Sequence, residues 1–419
     1  MPIIDVTDLL KPSPIIDSND RIALLEVASD LIMHLVECDP LDTSSPSYHS
    51  DVIDNVLSLL MAQTSDAFPV DASEELEEIV EDAARITFAH FAPRRSYSNT
   101  DVKIPPNIDV IRNKIAYLSS VPQAAQRTPE WYQQRHNTLT ASSIWMALSS
   151  SQSTRNRLIF GKCSPLDTSK YDRHNLESSL HWGQKYEDVS IMWYEREYST
   201  KVSEFGCIPH HEHSFIAASP DGINTDPTSK RFGRMVEVKN IVNRDITGIP
   251  KEEYWIQMQL QLEVCQLREC DFLETRFIEY ESFEAFFEDG DFSRSSDAKD
   301  KGVMALFIDP HGTPSYEYAP IGLHSEIEYN EWNDKVMNNT PGRMWLKNIF
   351  WKLDEVSVVL VVRNRRWFNA ALPIFQSTWE TILMEREAGY QHRAPNKRAR
   401  ITMNAPVTLK GCMIDVPLL

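Results

Sequence analysis

Apolar residues recur at helical spacing in the first part of the chain. Segments 22–36 and 51–61 carry apolar side chains every three or four positions, and a third such segment opens with Glu74. Acidic residues in a first turn favour a helix because they face the positive end of its dipole. We predict a helical accessory domain over residues 1–92, followed by a proline-rich linker over residues 93–126.

Strand-like patterns replace helical spacing after residue 214. A short apolar run at 215–219 ends in a Pro-Asp-Gly turn, which places Asp221 where a strand stops. Residues 234–239 then alternate, so Glu237 and Lys239 share one face of a strand while two valines occupy the other. Two carboxylates and an ammonium group at one spot are the components of a magnesium-dependent phosphodiester cleavage site. Taken singly, such residues are also common in surface ion pairs and turns.

A long helix is predicted over residues 176–198. One face of it would carry a stripe of residues at steps of three or four: Leu180, Gly183, Glu187, Ile191 and Tyr194. A carboxylate within an inward stripe needs either a buried cation or a metal as its partner. We also expect Gly183 to let this helix approach the sheet closely.

Residues 254–264 present two conflicting periods. Apolar and polar residues alternate as in a strand, yet the start at Pro250 and the leucine and glutamine content favour a helix. We predict a helix, on which Tyr254, Gln257 and Gln261 share a face.

A phosphate-binding turn is a second candidate site. Arg135 closes a predicted helix, and Thr140, Ser142 and Ser143 begin another one. A helix amino terminus with hydroxyl groups binds phosphate readily, and an arginine adds a bidentate contact. The alternative is ordinary helix capping by Thr140 or Ser142 beside a solvated arginine.

The rest of the chain carries weaker signals. Residues 150–175 look irregular, and 282–300 look like an acidic loop. Strands are predicted at 271–280, 303–308 and 356–362, and helices at 325–347 and 372–386. We predict a C-terminal α+β extension over residues 311–390 and a basic, flexible tail over 391–419. Residues 396–400 (Asn-Lys-Arg-Ala-Arg) suit a nuclear-localisation patch, a DNA-binding tail or a solvated end.

The composition limits the possible functions. The net charge of -19 argues against a protein that coats DNA, although a local basic groove remains compatible with it. Six scattered cysteines without a Cys-x-x-Cys pair predict neither a zinc site nor a disulfide framework, and so an intracellular, reducing compartment. No secretion signal and no membrane-spanning run is recognisable, so we expect a protein that is neither secreted nor in a membrane.

Five of these motifs together resemble one family. Ser-Pro-Asp-Gly at 219–222 followed by Val-Glu-Val-Lys at 236–239 is similar to the PD-(D/E)XK nucleases, in the lambda-exonuclease and YqaJ-type viral recombinase branch of large DNA viruses. Trp-Gly-x-x-x-Glu ending at Glu187, Trp…Arg…Leu-Thr-Ala-Ser at 131–142, and Tyr-x-x-Gln at 254–257 resemble the same branch. The resemblance implies an α/β, restriction-endonuclease-like core over residues 127–310, with a mixed central sheet flanked by helices.

The resemblance also implies roles for individual residues. Mg²⁺ or Mn²⁺ would be held by the carboxylates of Glu187, Asp221 and Glu237 and by the backbone carbonyl of Val238. Lys239 and Gln257 would complete the catalytic site. Arg135 and Ser142, from which Ser143 cannot be separated by sequence, would hold the 5′-phosphate of DNA.

The implied activity is a 5′-to-3′ exonuclease acting on duplex ends and leaving 3′ single strands for recombination or repair. Its partners would be DNA, a single-strand annealing protein and further copies in a ring trimer, in the nucleus or at a viral replication site. A structure-specific endonuclease of this fold and a catalytically silent scaffold are the alternatives. The acidic charge and the long gap between Asp221 and Glu237 are departures from the family.

Overall fold

A computed structural model describes residues 14–101, 107–167, 175–176 and 178–395. The predicted patch at 396–400 therefore lies outside the described residues. Three helices form the first part of the chain: α1 (Ser18–Cys38), α2 (Tyr48–Thr64) and α3 (Ser73–His90). They bury an apolar core of their own, with Ile32, Val56 and Ile79 fully inaccessible to solvent. The helical character expected for this region is confirmed for its described residues.

The predicted linker contains a helix. Helix α4 (Ile108–Ser120) begins where the Asn107 side chain accepts a hydrogen bond from the Val110 amide. Leu118 of α4 is buried in the largest core cluster, so the helix is anchored by packing. The segment predicted as a linker thus includes a packed helix, about which the prolines that flank it carry no information.

The remaining helices surround a mixed sheet. They are α5 (Pro129–His136), α6 (Ala141–Leu148), α7 (Gln152–Cys163), α8 (Ser179–Glu197), α9 (Glu252–Cys265), α10 (Phe283–Glu288), α11 (Glu326–Asn338) and α12 (Arg365–Ala388). The strands are β1 (Leu139–Thr140), β2 (Val202–Ser203), β3 (Ile208–Pro209), β4 (Ile216–Ala218), β5 (Gly222–Asn224), β6 (Met235–Asn240), β7 (Glu269–Glu279), β8 (Lys301–Ile308), β9 (Pro314–Tyr318) and β10 (Met344–Val362).

Seven strands form the main sheet in the order β2-β5-β6-β7-β10-β8-β9, and β1-β4-β3 form a small second sheet. Among the described strands of the main sheet, β6 and β7 form the one parallel pair, and Glu237 lies opposite Phe272 in its register. Met235 of β6 belongs to the core that contains α9, whereas Val236 and Val238 belong to the core beneath α8. Helices thus cover both faces of β6, and the mixed α/β class expected from the sequence is confirmed.

Residues 254–264, where strand and helix periods conflict in the sequence, lie in helix α9. Ten of the eleven residues of α9 from Trp255 to Cys265 are buried. A helix enclosed on all sides loses its amphipathic pattern. The alternation that resembles a strand therefore carries no information about secondary structure in this segment.

Four local predictions were wrong. Residues 152–163 form α7 instead of an irregular insertion, and residues 344–347 begin β10 instead of extending the preceding helix. The buried face of α8 is rotated from the predicted stripe, because Leu180 is 71% exposed whereas Tyr186 is fully buried. Nothing lies within 4 Å of the position that a Cβ at Gly183 would take, so this glycine is not required for close packing.

Residues 391–393 pack against α12. Arg393 forms a hydrogen-bonded ion pair with Glu385 of α12, so the residues immediately after residue 390 are packed and not part of a flexible tail. Among the helices of the described ranges, none combines the length and the apolar character needed to cross a bilayer.

Candidate functional site

Asp221 and Glu237 meet inside the main sheet, where the turn before β5 lies beside β6. Asp221 lies between β4 and β5, and its Oδ2 atom accepts a hydrogen bond of 2.8 Å from the backbone amide of Val238. Glu237 is in the middle of β6, with no exposure to solvent, on the face that α9 covers. The turn and the strand that carry the two sequence motifs therefore lie side by side, as expected.

Three side chains donate to the buried Glu237 carboxylate. Lys239 and Gln257 donate to its Oε1 atom, the latter at 2.6 Å. Gln261 donates to Oε2 at 2.7 Å and to the carbonyl of Ser219 at 3.2 Å. Since a buried charge is costly unless it is paired and hydrogen-bonded, these donors are what keep Glu237 in place.

The charges of this cluster shift one another's pKa values. Burial and the negative charge of Glu237 raise the pKa of the Asp221 carboxyl well above its ordinary value. Burial alone would lower the pKa of Lys239, but the Glu237 and Asp221 carboxylates reverse this effect and raise it. The two carboxyl groups thus share one ammonium, and the site has more negative charge than its own cations neutralise.

Glu187 reaches the cluster from the opposite face of the sheet. Helix α8 is fastened to the end of β6 by Asn240, which donates to the carbonyl of Gly183 at 2.8 Å and accepts from the Ser190 hydroxyl at 2.7 Å. Burial raises the pKa of Glu187, Arg127 at 3.6 Å opposes this shift, and the Asp188 and Glu237 carboxylates add to it. Glu187 therefore belongs to the same electrostatic group as Glu237.

The donor set suits a hard cation, but it is not arranged as a coordination shell. Carboxylates and a carbonyl are the ligands that Mg²⁺ and Mn²⁺ prefer. However, no group of three or more acidic, histidine or cysteine residues is placed to hold a metal ion anywhere in the described ranges. Both oxygens of Glu237 are engaged by N–H donors. Metal binding by Glu187, Asp221, Glu237 and the Val238 carbonyl thus stays a prediction.

Arg135 and Ser142 form the second cluster. The Arg135 guanidinium donates to the Ser142 hydroxyl at 2.8 Å and stacks over the Trp131 ring at 4.2 Å. Ser143 instead pairs with Thr140, at 2.9 Å between the hydroxyls, which separates two serines that the sequence could not. Trp131 also donates to the hydroxyl of Ser219 at 3.3 Å. Because Ser219 lies two residues before Asp221, this contact joins the two clusters.

Two basic residues bond to backbone carbonyls at the end of α5, the helix that carries Arg135. Lys162 donates to the backbone carbonyl of Arg135 at 2.5 Å, and burial lowers the pKa of Lys162 to about 7. Arg386 donates to the carbonyls of His136 and Lys162, at 3.0 and 2.8 Å. Both contacts place positive groups at the carboxyl end of α5, where the helix dipole favours them.

Sequence reasoning missed four contributors: Gln261, Arg127, Lys162 and Arg386. Gln261 was placed on the correct face of α9, and its direct bond to Glu237 could have been inferred from its spacing of four from Gln257. The other three act through contacts that join distant segments, for which the sequence carries no local signal.

Comparison with known proteins agrees with the motifs. Residues 130–268 match the family model described as YqaJ-like viral recombinase domain. An uncharacterized protein of Acanthamoeba polyphaga mimivirus is 28% identical over 341 residues, which cover 72% of this chain and 59% of that protein. The chain thus matches less than two thirds of the length of this relative.

Two solved structures show a partial likeness. An alkaline exonuclease (LHK-Exo) from Laribacter hongkongensis aligns with a TM-score of 0.33 at 17% identity, over 63% of this chain and 95% of that one. A phage-related exonuclease from Haemophilus somnus aligns with a TM-score of 0.31 at 12% identity, over 61% and 98%. The segment that matches the YqaJ-like viral recombinase domain, residues 130–268, carries Arg135, Ser142, Glu187, Asp221 and Glu237 of the two candidate clusters.

Proposed function

We propose that this protein is a metal-dependent deoxyribonuclease of the PD-(D/E)XK type that degrades duplex DNA from 5′-phosphorylated ends. The observation that carries this proposal is the direct connection between the two clusters. Arg135 stacks on Trp131, Trp131 bonds Ser219, and Ser219 precedes the Asp221 turn. A phosphate held at Arg135 would therefore lie beside the acidic cluster, which suits cleavage close to a DNA end.

Each side chain has a distinct task in this proposal. Arg135 and Ser142 hold the terminal phosphate, with Trp131 keeping the guanidinium in position. Glu187, Asp221, Glu237 and the Val238 carbonyl would hold Mg²⁺ or Mn²⁺, which polarises the scissile phosphate and acidifies water.

The remaining polar groups orient the reactants. Lys239 balances the charge of the acids and holds the attacking water, since its ammonium already lies against Glu237. Gln257 and Gln261 fix the Glu237 carboxylate. The products would be nucleotides and a 3′ single strand. An annealing protein would bind that strand during recombination or repair. Assembly into a ring trimer would enclose the duplex.

A silent scaffold is the second candidate, because Lys239, Gln257 and Gln261 engage both oxygens of Glu237 and no complete ligand group is formed in the described part of the chain. A calorimetric titration with Mg²⁺ separates the two. A nuclease binds the ion and loses that binding on Asp221→Asn substitution, whereas a scaffold binds none.

The decisive experiment is a digest of linear duplexes with 5′-phosphate or 5′-hydroxyl ends, in Mg²⁺ or EDTA. We expect Mg²⁺-dependent release of nucleotides from phosphorylated ends, no cleavage by Glu237→Ala or Lys239→Ala, and loss of end preference in Arg135→Ala. Lys201→Ala, in an exposed ion pair with Glu195, is the matched control and should behave as the unmodified protein. Equal digestion of both ends would contradict the role of Arg135, and cleavage of closed circles would indicate an endonuclease.

A further inference from the structure

A cavity of about 160 Å³ lies between the N-terminal helices and the start of α12. One side is lined by Tyr48 and Phe91 from the helical region. The other side is lined by Arg363, Arg365 and Arg366. Pockets for drug-sized molecules are about 300–1,000 Å³, so this one has the size for a small ligand or for one group of a larger ligand.

Two of the three arginines are only loosely paired. Arg363 is bound to the buried Glu263 at 2.5 Å. Arg365, with 69% of its side chain exposed, lies 3.9 Å from the same carboxylate. Arg366, 40% exposed, lies 4.0 Å from the exposed Glu37 and stacks over Phe91 at 4.7 Å. Ion pairs of this length contribute little free energy, and both guanidinium groups are partly exposed, so they are available to an anion.

The amino terminus of α12 lies in the same wall. Asn364 caps the helix by accepting a hydrogen bond from the Trp367 amide at 3.0 Å. The earlier amides of a first turn have no partner within the helix, and together with the dipole they favour negative charge.

An unsatisfied hydroxyl provides an independent indication. Tyr48 is 4% exposed and lines the cavity, and its hydroxyl makes no hydrogen bond with any described residue within 3.5 Å. The Thr43 side chain lies beside this hydroxyl but outside hydrogen-bonding geometry; burial raises the pKa of Tyr48, and Thr43 and the Arg366 charge lower it. A buried polar atom without a partner destabilises the folded state, and a bound ligand oxygen would remove that penalty.

We propose that this cavity is a binding site for a phosphate group, held by Arg365, Arg366, the Tyr48 hydroxyl and the first turn of α12. The phosphate could belong to a free phosphate or nucleotide, or to the backbone of a DNA strand. The site is separate from the acidic cluster, because Gln257 and Gln261 of α9 face Glu237 whereas Gln259 bonds to the backbone of Val362 and Asn364. The proposal does not depend on nuclease activity.

Calorimetry on the full chain tests the proposal. The Arg135→Ala variant serves as the background in phosphate-free buffer, so that the other candidate phosphate site is silent. Inorganic phosphate is titrated in one arm, and in the other a single-stranded oligonucleotide without terminal phosphates, in EDTA. We expect binding in at least one arm, weakened tenfold or more by Arg366→Gln and about fivefold by Tyr48→Phe. Arg112→Gln, in an exposed pair with Asp109 on α4, should leave it unchanged.

The two arms distinguish the source of the phosphate. If the substitutions weaken binding in the phosphate arm alone, the ligand is a small anion. If they weaken binding of the oligonucleotide, the site contacts a DNA backbone. Tyr48→Phe removes one oxygen and keeps the packing, so its effect does not depend on misfolding. No binding in either arm, or binding insensitive to both substitutions, would overturn the proposal without touching the proposed nuclease activity.

Discussion

The Gln261→Met substitution tests how the buried Glu237 carboxylate is held. Methionine keeps the approximate shape of glutamine and removes both of its hydrogen-bonding groups. Gln261 is the one donor to Oε2 of Glu237 in the described part of the chain, at 2.7 Å. It also donates to the Ser219 carbonyl at 3.2 Å. Its own Oε1 atom is buried without a partner, so the substitution loses nothing there.

The expected magnitude follows from these contacts. A hydrogen bond to a charged group contributes about 1.5–3 kcal/mol and a neutral one about 1 kcal/mol. Gln261→Met should therefore destabilise the protein by about 3 kcal/mol. The Glu237 oxygen that it leaves bare has no access to water, since Glu237 is fully buried.

Gln257→Met is the matched control on the same helix face. Gln257 donates to Oε1 of Glu237, which Lys239 also contacts, and its side chain is only half-buried. Because Lys239 still donates to this oxygen, no buried acceptor is left unpaired, and we expect a cost of about 1 kcal/mol or less.

Thermal unfolding of the two variants measures the difference. For a domain of 150–250 residues, about 1 kcal/mol corresponds to roughly 2–4 °C in Tm. We expect Tm to fall by about 6–12 °C for Gln261→Met and by no more than about 4 °C for Gln257→Met. Equal shifts, or a larger shift for Gln257→Met, would refute the assignment of Gln261 as the main support of Glu237.

Three further predictions concern the surroundings of the site. Burial lowers the pKa of Lys162 from 10.5 to about 7. The buried charge therefore destabilises the folded state fully below pH 7, and this destabilisation disappears as the pH rises towards 10.5. The stability of Lys162→Met relative to the unmodified protein, measured by Tm, should therefore be highest near pH 7. This advantage should shrink by about 2–5 kcal/mol as the pH rises to 10, and a difference that does not change with pH would contradict the reasoning. Arg234→Leu leaves the buried Asp271 with one cation fewer and should cost about 3–5 kcal/mol in urea unfolding; a loss below 1 kcal/mol would show that the remaining partner suffices. Trp131→Leu removes the ring under Arg135 and should reduce the preference for 5′-phosphorylated ends several-fold, and an unchanged ratio of initial rates would exclude this support.

The strongest predictions came from patterns in which neighbouring residues share one constraint. Alternation along β6 placed Glu237 and Lys239 on one face because successive strand residues point to opposite sides, and the two side chains contact each other. The pairing of Arg135 with Ser142 was anticipated by their motif, and their bond spans only seven positions.

The errors have a common physical origin. The stripe on α8 was misplaced because its apolar face includes Tyr186 and Trp193 beside the buried Lys185. The prolines around α4 indicated a linker, although Leu118 anchors that helix in the core. In each case the environment outside the segment, and not its own composition, decides which side is buried.

The sequence by itself predicted β6, α8 and α9 and the candidates for the acidic cluster, because those depend on spacing along one strand, one turn or one helix. Only the tertiary structure decided that Gln261 supports Glu237, that Arg127 faces Glu187, and that the carboxyl end of α12 holds the helix of Arg135. These contacts join segments separated by 24 to 250 positions. Their partners are selected by how helices pack over the sheet, and no local pattern of residues encodes that choice.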